Sequence, residues 1–325
     1  MKRLLMLLFV AVCAGSAMAD SGHRSQVVAP KGTLGDGAPE AANQILLAQE
    51  TEAPAARRKG DVPYVPTPHE VVAKMLEMAE VGSEDVLYDL GSGDGRIVIA
   101  AVRDHGAKRG VGIDINPERI AEANENAREA NVTDRVTFRE GNIFEEDFSE
   151  ATVITLYLLP VVNLRLRPRL LNEVSPGTRI VSHAFDMGEW EPDQHEVVKG
   201  EYRGSYNVYF WRIPANVTGT WDVQLDTDGK PQDYTLELEQ QFQHISGTLR
   251  GGGIEVSLAD ARVEGEVVTF TATPAEDQEA WRFTGTVKEN TITGTLKQSD
   301  AEHAWRAERD PETRRPLEEE RASPT

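Results

Sequence analysis

The sequence predicts an α/β domain, a largely parallel sheet with helices on both faces, followed by a smaller antiparallel all-β domain. Three observations carry this. Between residues 62 and 213, short apolar runs alternate with stretches of helical period, the pattern of parallel strands joined by crossovers. A glycine-rich turn, Gly91-Ser92-Gly93-Asp94-Gly95, joins the first of these runs to the helix after it. Beyond Pro214 helix signals stop, and short alternating strands separated by turn residues take over.

The α/β elements follow in order. Thr67-Pro68-His69-Glu70 offers a capping threonine, a proline at the first helical position and a capping-box glutamate, ahead of Val71, Val72, Met75, Leu76 and Ala79. Residues 86–90 form an apolar strand, and residues 97–102 begin the next helix. A second strand covers 111–113. Asn116-Pro117-Glu118 caps a helix whose Ile120, Ala123 and Ala127 share one face, with Asn131 as a left-handed stop. Residues 136–138, 153–156 and 179–182 supply three more strands, and 197–202 pairs with 206–213 as a closing hairpin. In the second half, Ile245-Ser246-Gly247-Thr248, Phe283-Thr284-Gly285-Thr286 and Ile292-Thr293-Gly294-Thr295 read as repeated short strands. Asp228-Gly229, Gly251-Gly252-Gly253 and Glu289-Asn290 mark turns. That pattern predicts a β-barrel or β-sandwich, with Trp221, Trp281 and Trp305 as core anchors.

The ends read differently. Lys2 and Arg3 precede an apolar run over residues 4–12, and Ala17-Met18-Ala19 gives a small-residue cleavage pattern before Asp20. Residues 1–19 therefore read as a signal peptide and the product as exported, periplasmic or extracellular; initiation at Met18 would instead leave it cytoplasmic. Residues 20–61 read as a flexible linker, 62–213 and 214–308 as the two domains, and 309–325 as a disordered tail. No stretch after the signal segment reaches the roughly 18 apolar residues of a transmembrane helix.

Composition narrows the chemistry. The 325 residues are 39% hydrophobic and 27% charged, which excludes a wholly disordered chain. A net charge of −20 opposes sequence-independent binding to nucleic-acid phosphates. The one cysteine, Cys13, lies in the signal segment, so the processed chain has no disulfide, thiolate nucleophile or cysteine-ligated zinc. No His, Asp or Glu spacing suggests a metal site.

The glycine turn carries the chemistry. Asp89 ends the first strand, the glycines permit a sharp turn and close approach of a ligand, and Arg96 stands where a dinucleotide fingerprint would have its third glycine. Asp114 ends the second strand, where a carboxylate can accept hydrogen bonds from two ribose hydroxyls. Glu140-Gly141-Asn142-Ile143 follows the third strand and offers an amide and an apolar residue to an adenine. All three lie at carboxyl ends of consecutive strands, where ligands bind in open α/β sheets.

This spacing over residues 62–212 resembles the class I S-adenosylmethionine-dependent methyltransferases, with their Rossmann-like sheet. The resemblance implies S-adenosyl-L-methionine as cofactor. Asp89, Gly91, Gly93 and Gly95 would meet its methionine moiety, Asp114 the ribose, and Asn142 and Ile143 the adenine, with Ser92 and Ile115 also in the cofactor site. The family more often has aspartate at position 142. Tyr64-Val65-Pro66-Thr67, Asp-Leu-Gly-Ser-Gly-Asp-Gly-Arg-Ile-Val at 89–98 and Tyr157-Leu158-Leu159-Pro160 resemble the lysine methyltransferases of the ATP synthase c subunit and their bacterial relatives. That adds Tyr64 and Thr67 to the cofactor site and implies a protein lysine as methyl acceptor, without identifying it.

Thr155-Leu156-Tyr157-Leu158 lacks the Asn/Asp-Pro-Pro-aromatic motif that marks the amino-methyltransferases of adenine and glutamine amide. A lysine amine, once deprotonated, needs only alignment and an apolar channel. Tyr157, His183 and Asp186 end strands on the cofactor side and are the catalytic candidates. The competing reading is a non-catalytic exported binding protein with a methyltransferase-like fold, its β-domain binding a ligand or partner.

Overall fold

The computed structural model describes residues 64–200, 204–227, 230–275 and 278–318. The signal segment, the linker, the Asp228-Gly229 turn and residues 319–325 lie outside the described residues.

The first domain is a seven-stranded sheet in the order β3-β2-β1-β4-β5-β7-β6. Strands β1 (Val86–Leu90), β2 (Arg109–Asp114), β3 (Val136–Glu140), β4 (Val153–Leu156) and β5 (Arg179–His183) are parallel. The hairpin β6 (Gln194–Lys199) and β7 (Ser205–Arg212) closes one edge, β7 running antiparallel to β5. Alternation along the strands sorts side chains between two layers. Leu87, Val153 and Val181 face α1 (His69–Met78), α2 (Arg96–Arg103) and α3 (Pro117–Glu129). Tyr88, Leu90, Ile154, Leu156 and Ile180 face α4 (Pro160–Glu173). The chain leaves β1 toward β2 on one side and returns to β4 on the other, which opens a crevice at the carboxyl ends of β1 and β4.

The local signals for α3 hold. Asn116 accepts from the Glu118 N–H with Pro117 at the first helical position, and Asn131 has φ of +55°. Helix α1 differs: Pro68 is its N-cap residue and no side chain caps it, because the Thr67 hydroxyl is turned to His183. Helix α4, which the sequence reading did not assign, continues through Pro168.

The second domain is a closed eight-stranded antiparallel barrel, β8 (Gly219–Thr227) to β15 (Ala301–Arg309), in the order β10-β11-β12-β13-β14-β15-β8-β9. Pairing of β15 with β8 completes the ring, so the fold is a barrel rather than a sandwich. Trp221, Phe270, Phe283 and Trp305 fill the interior with aliphatic side chains, while Trp281 is only partly buried. At one end the buried Arg309 guanidinium lies 4.7 Å from the Trp221 ring. It donates to the carbonyls of Asn216 (2.8 Å), Thr218 (3.1 Å) and Glu289 (2.8 Å) and to Asn290 Oδ1 (3.0 Å). All these acceptors are neutral, and burial pulls its pKa down to about 10.

Residues 309–318 do not behave as the tail their composition suggests. Arg309 ends β15, Pro311–Thr313 forms a 3-10 turn, Leu317 joins the α4-side core, and Glu318 pairs with Arg167 of α4. Those partners lie some 150 residues away in the chain and leave no local signal.

Candidate functional site

The glycine loop leaves β1 with Gly91, Gly93 and Gly95 all at positive φ. At Gly93 (φ +52°) a Cβ would sit 2.4 Å from Cε2 of Tyr64. The glycine is therefore required by the segment at 64–67, which packs over the loop. Tyr64 is held by a hydrogen bond to Asp94 and by Arg119, whose guanidinium lies 4.6 Å from its ring. Arg96 makes a two-pronged ion pair with Asp94 and donates through Nη1 to the Thr67 carbonyl at 2.9 Å. The sequence reading missed this pair, although it lies within the motif.

Two carboxylates frame the loop. Asp89 is buried and accepts from the Thr155 hydroxyl at 2.7 Å; burial pushes its pKa up to about 7. Half-buried Asp114 accepts from the N–H of Gly93 and of Asn116, each at 2.8 Å, so its carboxylate is fixed at the end of β2. Asn142 folds onto its own turn, its Oδ1 accepting from the Phe144 N–H at 3.1 Å and its Nδ2 donating to Glu145 at 2.7 Å. That local engagement leaves the adenine edge less to Asn142 than its position suggests.

These elements enclose a cavity of about 700 Å³. Tyr64, Thr67, Asp89, Gly91, Ser92, Gly93, Asp114, Ile115, Asn142 and Ile143 all line it. Gly95 does not; it precedes α2 and packs against Phe138. The far wall is apolar and aromatic, built from Tyr157, Leu158, Leu159, Val162 and Phe185. Of the catalytic candidates, only Tyr157 reaches the cavity. His183 stands behind it, 1% exposed, with ring centroids 3.9 Å apart and Nδ1 3.2 Å from the Thr67 hydroxyl. Burial pulls the His183 pKa down to about 4, so the ring is neutral near pH 7. Asp186 is exposed and accepts from the Gly188 N–H at 3.0 Å as a turn residue. Phe185, two residues from His183, and Val162 of α4 are the wall residues the sequence reading passed over.

The ANTKMT methyltransferase domain model matches residues 89–194. A protein-lysine N-methyltransferase of Saccharolobus islandicus REY15A is 53% identical over 153 residues, covering 47% of this chain and 94% of that protein. The chain belongs to the class I S-adenosylmethionine-dependent methyltransferases. The lysine N-methyltransferase of the ATP synthase c subunit from Homo sapiens is 30% identical over 141 residues, 42% of this chain and 58% of that protein. A solved structure of an RNA methyltransferase from Salinibacter ruber with S-adenosyl-L-homocysteine is 59% identical, covering 47% of this chain and 96% of that one, with a TM-score of 0.44.

The cavity fits the methyltransferase cofactor, S-adenosyl-L-methionine. Its volume suits a small-molecule ligand. Ser92, on its wall, has a buried hydroxyl without a hydrogen-bond partner among the described residues. Among those residues no group of three or more His, Cys, Asp or Glu is placed to hold a metal ion, and no helix is long and apolar enough to cross a membrane.

Proposed function

We propose that this methyltransferase acts on the side-chain amine of a protein lysine. The observation that carries the reading is the acceptor wall. Tyr157, Leu158, Leu159, Val162 and Phe185 bring no carboxylate to that side of the cavity. The three acidic groups that do line it are engaged with Thr155, Arg96 and two backbone N–H groups. An uncharged wall disfavours the ammonium form of lysine and admits the neutral, nucleophilic amine. The names of the archaeal and human relatives agree with a lysine acceptor.

The cofactor supplies an electrophilic methyl group on a sulfonium. The chain supplies binding and alignment, which are worth most in a displacement of this kind. Asp114 and Ile115 hold the ribose, and Ile143 and Asn142 border the adenine. Asp89, Ser92 and the loop at Gly91 and Gly93 take the methionine end, under Tyr64 and Thr67. Tyr157 and Phe185 orient the amine. His183, neutral and behind Tyr157, is a poor proton acceptor, so the lysine proton leaves to solvent before attack.

The test is transfer of a labelled methyl from S-adenosylmethionine to a cell extract, followed by acid hydrolysis and amino-acid analysis. Label in methylated lysine is expected. Label only in RNA, or no label from a chain that binds the cofactor, would overturn the proposal.

A further inference from the structure

Arg167, in α4, is 3% exposed, and a buried guanidinium is costly unless it is paired or hydrogen-bonded. Its Nε and Nη2 donate to the two carboxylate oxygens of Glu318 at 2.7 and 2.6 Å. Its Nη1 donates to the Met187 carbonyl at 2.5 Å, and the guanidinium lies 5.1 Å from the Phe242 ring. Glu318 belongs to the segment after the barrel, Phe242 to the turn between β9 and β10, and Met187 to the loop after β5. One side chain thus joins three parts of the molecule that are distant in sequence.

The loop after β5 carries Phe185 into the cavity, and it is tied down from the same side. Asn163, one turn before Arg167 and fully buried, donates to the Asp186 carbonyl at 3.2 Å and more weakly to that of Phe185 at 3.4 Å. Trp190 stacks on Phe242 with centroids 6.0 Å apart, and Gln243 of the barrel donates to the Glu191 carbonyl at 2.9 Å. Methyl transfer itself needs neither a barrel nor a carboxylate at 318. Both nevertheless bear on the loop that forms the acceptor wall.

We infer that the barrel and the segment that carries Glu318 act through Arg167 to hold the Phe185 loop, and so set the acceptor side of the cavity. That this side of the cavity receives the methyl acceptor rests on the proposed function; the loop's placement does not. Arg167, Glu318 and Phe242 are positioning residues and touch no reacting atom.

Hydrogen exchange of the full-length chain tests this. In Glu318→Ala the amides of residues 184–190 should exchange about tenfold faster, the effect of losing a charged pair that holds a local segment. Residues 91–95 should be unchanged, as should affinity for S-adenosylhomocysteine. Phe242→Leu should speed exchange in the same loop, and Glu318→Gln, which retains an acceptor oxygen, should recover part of the protection. Unchanged exchange at 184–190 in either Glu318→Ala or Phe242→Leu, or an equal rise at 91–95, overturns the inference. If the exchange pattern appears while no lysine is methylated, the proposed function fails and the positioning role stands.

Discussion

Gly93→Ala separates what the glycine loop does for the fold from what it does for the cofactor. The new methyl would meet the Tyr64 ring at 2.4 Å on a backbone with φ of +52°. The left-handed conformation costs an alanine about 1–2 kcal/mol. Tyr64 is 44% exposed, so its ring can swing outward and the domain still folds. Doing so forfeits the Arg119 contact, worth about 0.5–1 kcal/mol at an exposed site, and the bond to Asp94, worth about 0.5–1.5 kcal/mol. With Tyr64 no longer held over the cavity by contacts worth about 1–2.5 kcal/mol together, cofactor affinity should fall about fivefold or more. Calorimetric titration with S-adenosylhomocysteine reads this, and thermal melting confirms that the variant is folded. The decisive comparison is a double-mutant cycle. If the methyl acts by displacing Tyr64, Gly93→Ala in a Tyr64→Ala background should cost little further affinity. Fully additive losses would refute that reasoning and make the glycine a matter of ligand or backbone alone.

Other outcomes follow from buried charge and from the N-terminus. Asp89 binds a proton more tightly in the folded protein, with its pKa raised from 3.8 to about 7. Folding therefore takes up protons over that range, and ligand-free stability should fall as pH rises from about 4 to 7. Melting temperature against pH should lose that component in Asp89→Asn. Arg309→Leu strands several carbonyls that the guanidinium satisfies and should lower stability by about 3 kcal/mol in urea unfolding. A loss under about 0.5 kcal/mol would show that the arginine is dispensable to the barrel. The export reading predicts a product whose first residue is Asp20 by N-terminal sequencing, outside the inner membrane; a cytosolic product starting at Met18 or Ala19 would contradict it.

What the sequence revealed was local. The bounds of β1 and β4, the Asn116 cap and the left-handed Asn131 each rest on a few adjacent residues. The cavity wall over the glycine loop was legible because its residues follow three strands at motif spacing. Thr67 shows the limit. Its local pattern is that of a capping residue, yet its hydroxyl goes to His183, 116 positions away. Helix α4 carries a proline at 168 that argues locally against a helix, while packing against the sheet sustains it. Barrel and sandwich share one strand pattern, and only the β15–β8 pairing, across 80 residues, distinguishes them. The Arg167–Glu318 pair joins a stretch with no assignment from the sequence to one whose composition reads as a tail.

The central claim is that S-adenosylmethionine binds in the cavity over the glycine loop, with Asp114 as the ribose ligand. Calorimetric titration of the purified chain with S-adenosylmethionine, beside a folded Asp114→Asn variant, tests this most directly. The isosteric amide retains an acceptor for a backbone N–H and removes the charge. One equivalent should bind to the parent chain, with an affinity at least about tenfold weaker in the variant, as for loss of a charged hydrogen bond. Equal affinity in the two, or no binding by the parent chain, would contradict the claim.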